Sequence, residues 1–475
     1  VLKTELRSYQ GEAVAAALQH DGFALFPEQR TGKCLIALAV VDHRKPDVIV
    51  IVCPKKAVLT WETEIDKHLT WDDDWECEFF IVTYQEPVKN LKLRGEWYKY
   101  TKDLVAGGGT LMVIADEAHM IKKPGTAQSR FVRTIGKRAQ WRLALTGTPI
   151  DKGYEQLWAI FDFVQHQIAF GTYDEFKNRY VLYDEKERRD GRQYKVITGY
   201  QRGPELLKII HKYSYRITFN EARVAMGKKP VTIRKRKVYF DLSEKAQRLY
   251  EQMDTELQVS IDGLDIEAPL PVTKVQKLQQ ICGGFLLHQL RIPGQKKRKR
   301  FVVPVGDDKL YCLMQVLSGM GKDNKIVICA RFTHEIAAIQ GHLFETNWTF
   351  KEISGSSEWD GKFDTDVVVM QVRSGLGFDL SESNTYIFYS WDHSYITFEQ
   401  SRFRIMSMEH TKQVNYHFLM ARGTIEDEYF QAVARKKDFS SLVLDKYRKE
   451  ETQERSRAVR KGARRVRKAR RRTAA

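Results

Sequence analysis

The 475-residue chain is 43% hydrophobic and contains 24 phenylalanines and 21 tyrosines, enough for packed domains and too long for one ordinary core. No run approaches the ~18 apolar residues of a membrane span, and the N-terminal residues show no signal-peptide pattern, so a chain without membrane anchorage is expected. The formal charge of +17 points to a polyanionic partner and is concentrated in two places: residues 448–475 hold 13 Lys and Arg against 3 Glu, and Lys296-Lys297-Arg298-Lys299-Arg300 forms a second block. Six scattered cysteines (34, 53, 77, 282, 312, 329) form no CxxC pair, which argues against a disulfide framework or zinc site. A reducing, cytoplasmic setting is expected, the host cytoplasm if the chain is phage-encoded.

In chain order, short apolar runs alternate with helical patterns, the signature of α/β domains with parallel sheets. Strands are expected at 23–26, 48–53, 79–82, 111–115 and 143–145. A second series follows at 325–329, 350–353, 367–371, 385–389 and 414–419. Between the two series, 180–186 and 193–197 flank Asp190-Gly191, a hairpin turn signal. Residues 206–216 and 243–260 read as helices, and 263–271 and 291–306 as loops. The domain reading is therefore a first domain over 1–220 with a hairpin insertion near 180–200. A linker and second domain cover 221–445, and a basic tail covers 446–475.

Two segments carry the chemistry. Arg30-Thr31-Gly32-Lys33-Cys34 follows the first strand and opens a helix, where backbone N–H groups and the helix N-terminus can cradle phosphates. Gly32 allows close approach, and Lys33 can reach β- and γ-phosphates. Pro27 stands at the first glycine position of the general pattern and Cys34 at its hydroxyl position. Asp116-Glu117-Ala118-His119 ends a buried strand, at the edge where parallel sheets bind ligands. There Asp116 would hold Mg²⁺ through water, and Glu117 would orient or deprotonate the attacking water. His119 can couple the site to the next motif.

Further ordered segments make the pattern specific. They include Leu6-Arg7-Ser8-Tyr9-Gln10, Cys53-Pro54-Lys55-Lys56, Trp61-Glu62-Thr63-Glu64, Val82-Thr83-Tyr84 and Leu145-Thr146-Gly147-Thr148-Pro149. In the second half come 325–332, Arg373-Ser374-Gly375-Leu376-Gly377-Phe378-Asp379-Leu380, 391–404 and Gly423-Thr424-Ile425-Glu426. From about residue 6 to about residue 444 the chain resembles superfamily 2 DNA helicases and translocases of the Snf-type branch, including small bacteriophage branch-migration and fork helicases.

The resemblance implies two RecA-like α/β domains in tandem, with ATP and Mg²⁺ as cofactors. It implies that Lys33, Asp116, Glu117 and Arg404 are catalytic, with Arg402 as a substitute arginine finger. It assigns ATP contacts to Gln10 (reading adenine), Arg30, Thr31, Gly32, Lys33, Cys34, Gly377 and Asp379. It assigns nucleic-acid contacts to Lys55, Lys56, Trp61, Thr83, Tyr84, Thr148, Arg331, Ser374 and Gly375. Three features depart from the family pattern: Cys34 replaces Thr or Ser, Ser407 replaces the second arginine after Gln400, and Glu409-His410 replace Gly-Gln.

The leading expectation is a monomeric ATP-dependent enzyme that moves on or unwinds duplex, forked or branched DNA. A nucleic-acid binding protein on a motor scaffold with little turnover stays open, as does an RNA helicase. Protein partners are not legible in the sequence.

Overall fold

The unbroken apolar runs of the first half become strands buried on both faces, as parallel sheets require. In the computed structural model these are β1 (Gly22–Leu25), β2 (Val48–Cys53), β3 (Glu78–Thr83), β4 (Leu111–Asp116) and β5 (Trp141–Leu145). The antiparallel hairpin β6 (Val181–Glu187) and β7 (Gln193–Tyr200) follows, and then the short β8 (Ser214–Tyr215). The six-stranded sheet runs β3-β2-β4-β5-β1-β8, parallel throughout. Along β2, Val48, Val50 and Val52 face one core while Ile49, Ile51 and Cys53 face the other. The structure describes residues 1–70, 75–150, 153–187, 191–261, 264–268, 270–290, 299–322, 324–355, 357, 359–373, 378–392 and 394–441. Among these, no helix is long and apolar enough to cross a membrane.

The chain divides into two compact units, Val1–Lys229, to which the described residues 436–441 also belong, and Pro230–Arg435. The second begins with β9 (Ile233–Phe240), continues with hairpin strands β10 (Gln258–Ile261) and β11 (Leu264–Glu267), and then with β12 (Phe285–Leu290) and β13 (Lys299–Pro304). Its own six-stranded parallel sheet contains β14 (Ile326–Ala330), β15 (Phe350–Ile353), β16 (Val367–Gln371), β17 (Thr385–Phe388) and β18 (Val414–Ala421), in the order β15-β16-β14-β17-β18-β9. Two parallel-sheet α/β units in tandem are the architecture expected.

Several local expectations are corrected. The 206–216 helix is Gly203–Lys212 and then gives way to β8. The 243–260 helix ends at Glu256, with β10 beyond it. The described parts of the two expected loops include strands β11 and β13. β9 opens with Ile-Arg-Lys-Arg-Lys, and after Ile233 only its last three residues, Val-Tyr-Phe, are apolar, so it gives no continuous apolar run along its length; it is an edge strand, where charge is tolerated and blocks stray pairing. At the β6–β7 hairpin, residues 188–190 of the expected turn lie outside the described residues, while Gly191 has φ 78°.

Candidate phosphate and metal site

The segment between β1 and the helix Lys33–Arg44 places Arg30 (φ 65°) and Gly32 (φ 79°) in the left-handed region. For Arg30 this costs on the order of 1 kcal/mol, the kind of backbone strain that collects at functional loops. Gly32 suits this backbone, and a Cβ there, 2.5 Å from Gln10 Nε2, would push the Gln10 carboxamide out of its place. Gln10 is buried and braces the loop; its Nε2 donates to the Thr31 carbonyl at 3.2 Å, and its Oε1 accepts the Arg7 N–H at 3.0 Å. Each end of the carboxamide keeps one further hydrogen-bonding position, the capacity an adenine would need. Tyr9 donates its hydroxyl to the same carbonyl at 3.0 Å, and the Thr31 hydroxyl turns inward to the Glu28 carbonyl at 2.6 Å.

Lys33 Nζ rests on the carbonyls of Pro27 (3.3 Å) and Glu28 (3.2 Å). β1, β5 and β4 are neighbours in the sheet, so Asp116 and Glu117 lie at the same edge as this loop; burial lowers the Lys33 pKa, and the charges of Glu117 and Asp116 oppose that shift. Both polar atoms of the Gln29 carboxamide are buried without a hydrogen-bond partner. An orphaned amide in such a loop suits a site completed by a phosphate or its water.

Across from the loop, β4 ends in Asp116. The Trp61 indole N–H donates to Oδ2 at 3.0 Å and the Glu117 N–H to Oδ1 at 2.9 Å, while the Tyr84 hydroxyl donates to the Asp116 backbone carbonyl at 2.7 Å. Burial raises the Asp116 carboxyl to about 6, helped by the Glu117 charge and opposed by the Trp61 hydrogen bond and by Lys33. Glu117 is itself left-handed, at φ 48°. Its Oε2 lies 3.1 Å from His119 Nδ1 and accepts the Thr146 hydroxyl at 3.4 Å, and Thr146 Oγ1 in turn accepts the Thr148 N–H at 3.2 Å. The first unit thus gathers Lys33, Asp116, Glu117, His119 and Thr146 at the carboxyl ends of β1, β4 and β5.

The donor set fits a hard divalent cation. Asp116 and Glu117 offer carboxylate oxygens, while burial and then the Asp116 charge push the Cys34 thiol well above its ordinary pKa, leaving it protonated and a poor ligand for Mg²⁺. Among the described residues no group of three or more His, Cys, Asp or Glu could hold a metal. A cation here would complete its shell with phosphate and water oxygens, as Mg²⁺ commonly does.

The expected nucleic-acid residues separate into two groups. Lys55 and Lys56 are exposed on the short turn Lys55–Ala57 beyond β2. Trp61 and Tyr84 are fully buried and Thr83 and Thr148 nearly so, which corrects their reading as DNA contacts. Trp61 and Tyr84 support Asp116, and Thr83 exchanges hydrogen bonds with Glu86 at 3.0 and 3.3 Å.

In the second unit, Arg402 is corrected as a substitute finger. It is buried, and its Nε donates to Glu399 Oε1 at 2.8 Å and its Nη2 to Oε2 at 2.5 Å. Arg404 is half-buried, with Nη1 donating to the Phe378 carbonyl at 3.3 Å, while Asp379 is exposed and accepts the Ser381 N–H at 3.0 Å. The Arg331 backbone N–H donates to Ser390 Oγ at 2.7 Å, and its guanidinium reaches Gln279. Ser374, Gly375 and Gly377 lie outside the described residues. Two residues at the first site carry no signal in the sequence, Glu28 and Arg216. They are 188 positions apart, and no spacing rule connects them.

The model of the SNF2-related domain matches residues 19–284, more than half of the chain. The chain belongs to the SNF2-related family. It is 24% identical over 481 residues to the putative ATP-dependent helicase/translocase YwqA of Bacillus subtilis, with 93% of this chain and 49% of YwqA covered. With the TATA-binding protein-associated factor BTAF1 of Arabidopsis thaliana it shares 23% over 535 residues, 94% of this chain and 25% of that protein. With the DNA repair and recombination protein RAD54-like of Danio rerio it shares 21%, with 88% and 62% covered. This SNF2-related chain therefore spans between a quarter and less than two thirds of the length of these relatives. Among solved structures, the Sulfolobus solfataricus SWI2/SNF2 ATPase core in complex with dsDNA aligns at 20% identity and TM-score 0.39, covering 94% of this chain and 93% of that one.

Proposed function

We propose that the chain is an ATP-dependent DNA translocase or helicase that acts on forked or branched DNA. The observation that carries this reading is the convergence of Lys33, Asp116 and Glu117, with Thr146 bonded to Glu117. In this reading Lys33 leaves the carbonyls of Pro27 and Glu28 to meet the β- and γ-phosphates. Asp116, oriented by Trp61 and the Glu117 N–H, would hold Mg²⁺, which supplies charge neutralisation on the phosphates when bound. Glu117 positions the attacking water, and the Glu117–Thr146 hydrogen bond links that event to the loop after β5. Lys55 and Lys56 offer sequence-independent phosphate contacts, which suit a protein that must move along DNA. The preference for forks or branches is supported by the exposed β6–β7 hairpin and by the basic blocks.

The test is ATP turnover and strand separation with duplex, forked and four-way DNA and with RNA, using Lys33→Ala as control. DNA-stimulated turnover that disappears in the variant is expected. No stimulation, or equal turnover in both proteins, rejects the reading. A second reading, a DNA-binding protein with little turnover, is favoured by Cys34 and Ser407; tight nucleotide-independent binding without hydrolysis would select it.

A further inference from the structure

Arg216 follows β8 directly and is buried at 9% exposure, yet it lies on no motif. Its Nη1 donates to the carbonyls of Phe26 (2.7 Å) and Gly147 (3.1 Å), and its Nη2 donates to Glu28 Oε1 (3.2 Å). The second Glu28 oxygen accepts the N–H of Phe219, first residue of the helix Phe219–Ala225, at 2.8 Å. Backbone bonds run alongside: the Phe26 N–H to the Tyr215 carbonyl and the Glu28 N–H to the Ile217 carbonyl, both 2.9 Å. Gly147 packs so tightly that a Cβ would lie 3.2 Å from the Gln29 nitrogen. The phosphate loop, the loop after β5 and residues 215–219 are therefore tied by one buried guanidinium and one carboxylate.

We propose that Arg216 and Glu28 are positioning residues that transmit the state of the phosphate loop to residues 217–229, the segment by which the first unit joins Pro230. The proposal rests on the ATP-dependent reading above. Lys33 already occupies the carbonyls of Pro27 and Glu28, so drawing it onto a phosphate changes the hydrogen bonding of the residues that Glu28 and Arg216 hold. A guanidinium has a rigid fork of donors, and its three acceptors, two on the phosphate loop and one on the loop after β5, can all be met only in one register. Displacement at the loop is then passed to Phe219 through the Glu28 carboxylate rather than absorbed by slack. Lysine keeps the charge but loses the fork, and Glu28→Gln keeps the shape but loses the charge.

The experiment compares the wild-type chain with Arg216→Lys, Glu28→Gln and the double variant. It records hydrogen exchange of residues 217–229 with and without Mg²⁺ and a non-hydrolysable ATP analogue, analogue affinity, and DNA-stimulated kcat and KM. The wild type should show exchange in 217–229 that changes on analogue binding, and each variant should lose that change. Analogue affinity should stay within ~3-fold while kcat falls ~10-fold or more, the scale of one charge-assisted hydrogen bond. The double variant should be no worse than Arg216→Lys alone, because the two residues act through one pair. An exchange response retained in both single variants overturns the proposal, as does a rise in KM with kcat intact. If wild-type turnover is absent, the ATPase reading fails, but the exchange response still decides the coupling. If Arg216→Lys unfolds, Glu28→Gln decides the same point.

Discussion

Cys34 stands where a hydroxyl usually binds the metal, and its surroundings hold it as a thiol. Cys34→Thr should therefore lower the Mg²⁺ concentration needed for half-maximal turnover several-fold, measured by titrating Mg²⁺ at fixed ATP; an unchanged requirement would show that Asp116 and the phosphates suffice. Asp116 gives a signed pH prediction. Its carboxyl is raised to about 6 in the folded chain, above its ordinary 3.8, so the folded state binds the proton more tightly. The cost of its charge is absent below the ordinary value and fully present above about 6. Asp116→Asn should thus raise the thermal midpoint by several degrees at pH 8 and leave it little changed at pH 4, read by calorimetry at both values. Trp61→Phe keeps the buried ring but removes the indole donor to Asp116, and should weaken Mg²⁺ affinity by ~10-fold, measured with Mn²⁺ by electron paramagnetic resonance. Asp116 and Glu117 were legible in the sequence because their residue types and their place after a strand define their chemistry. The place of Trp61 is not legible in the sequence, because its partner lies 55 positions away and only packing reveals that the ring is inside.

At the scale of elements, the parallel strands were legible where burial on both faces demands continuous apolar residues, as in β2, β14 and β16. β8, β9 and β13 were not, since they are short, marginal to a sheet or in a hairpin, where pairing rather than burial fixes the conformation. The β6–β7 hairpin lies between these cases, because its turn residues announced it but its exposed faces gave no register. Aromatic packing and hydrogen bonding hold its root: Tyr200 packs on Tyr154 at 4.7 Å between centroids, and its hydroxyl donates to Glu155 Oε2 at 2.7 Å. Since an isolated two-stranded ribbon is barely stable, this root sets the hairpin's order. Tyr200→Phe should accelerate amide exchange across β6 and β7 by ~10-fold with little effect elsewhere in the first unit, as mass spectrometry would show. If the hairpin guides strands at a junction, the same change should reduce unwinding of forked DNA more than ATP turnover. Equal loss of both would assign the hairpin a merely structural part.

At the scale of the whole molecule, charge is the property that no single element explains. The described strand β9 adds Arg234, Lys235, Arg236 and Lys237 to the basic block around residues 296–300 and to residues 448–475, so positive charge is more widely spread than the two dense blocks suggested. These sources predict different behaviour. Lys237 is paired with Asp427 at 3.3 Å, so it has less to gain from a phosphate than a lysine standing in water. The segment 448–475 holds 13 Lys and Arg against 3 Glu, an excess that its own sequence cannot neutralise. Removing the residues after Lys449 should therefore flatten the plot of log affinity against log salt, by about 0.9 for each duplex phosphate that the segment would otherwise neutralise. The ATP turnover of the shortened chain at saturating DNA should be preserved, because Lys33, Asp116 and Glu117 all lie in the first unit's described residues. Titrations at several salt concentrations separate the two quantities. A slope equal to that of the full chain would mean that the basic excess stays solvated and that DNA is held by the two units alone. A flattened slope with unchanged turnover would make the segment a tether that raises local DNA concentration without entering the chemistry.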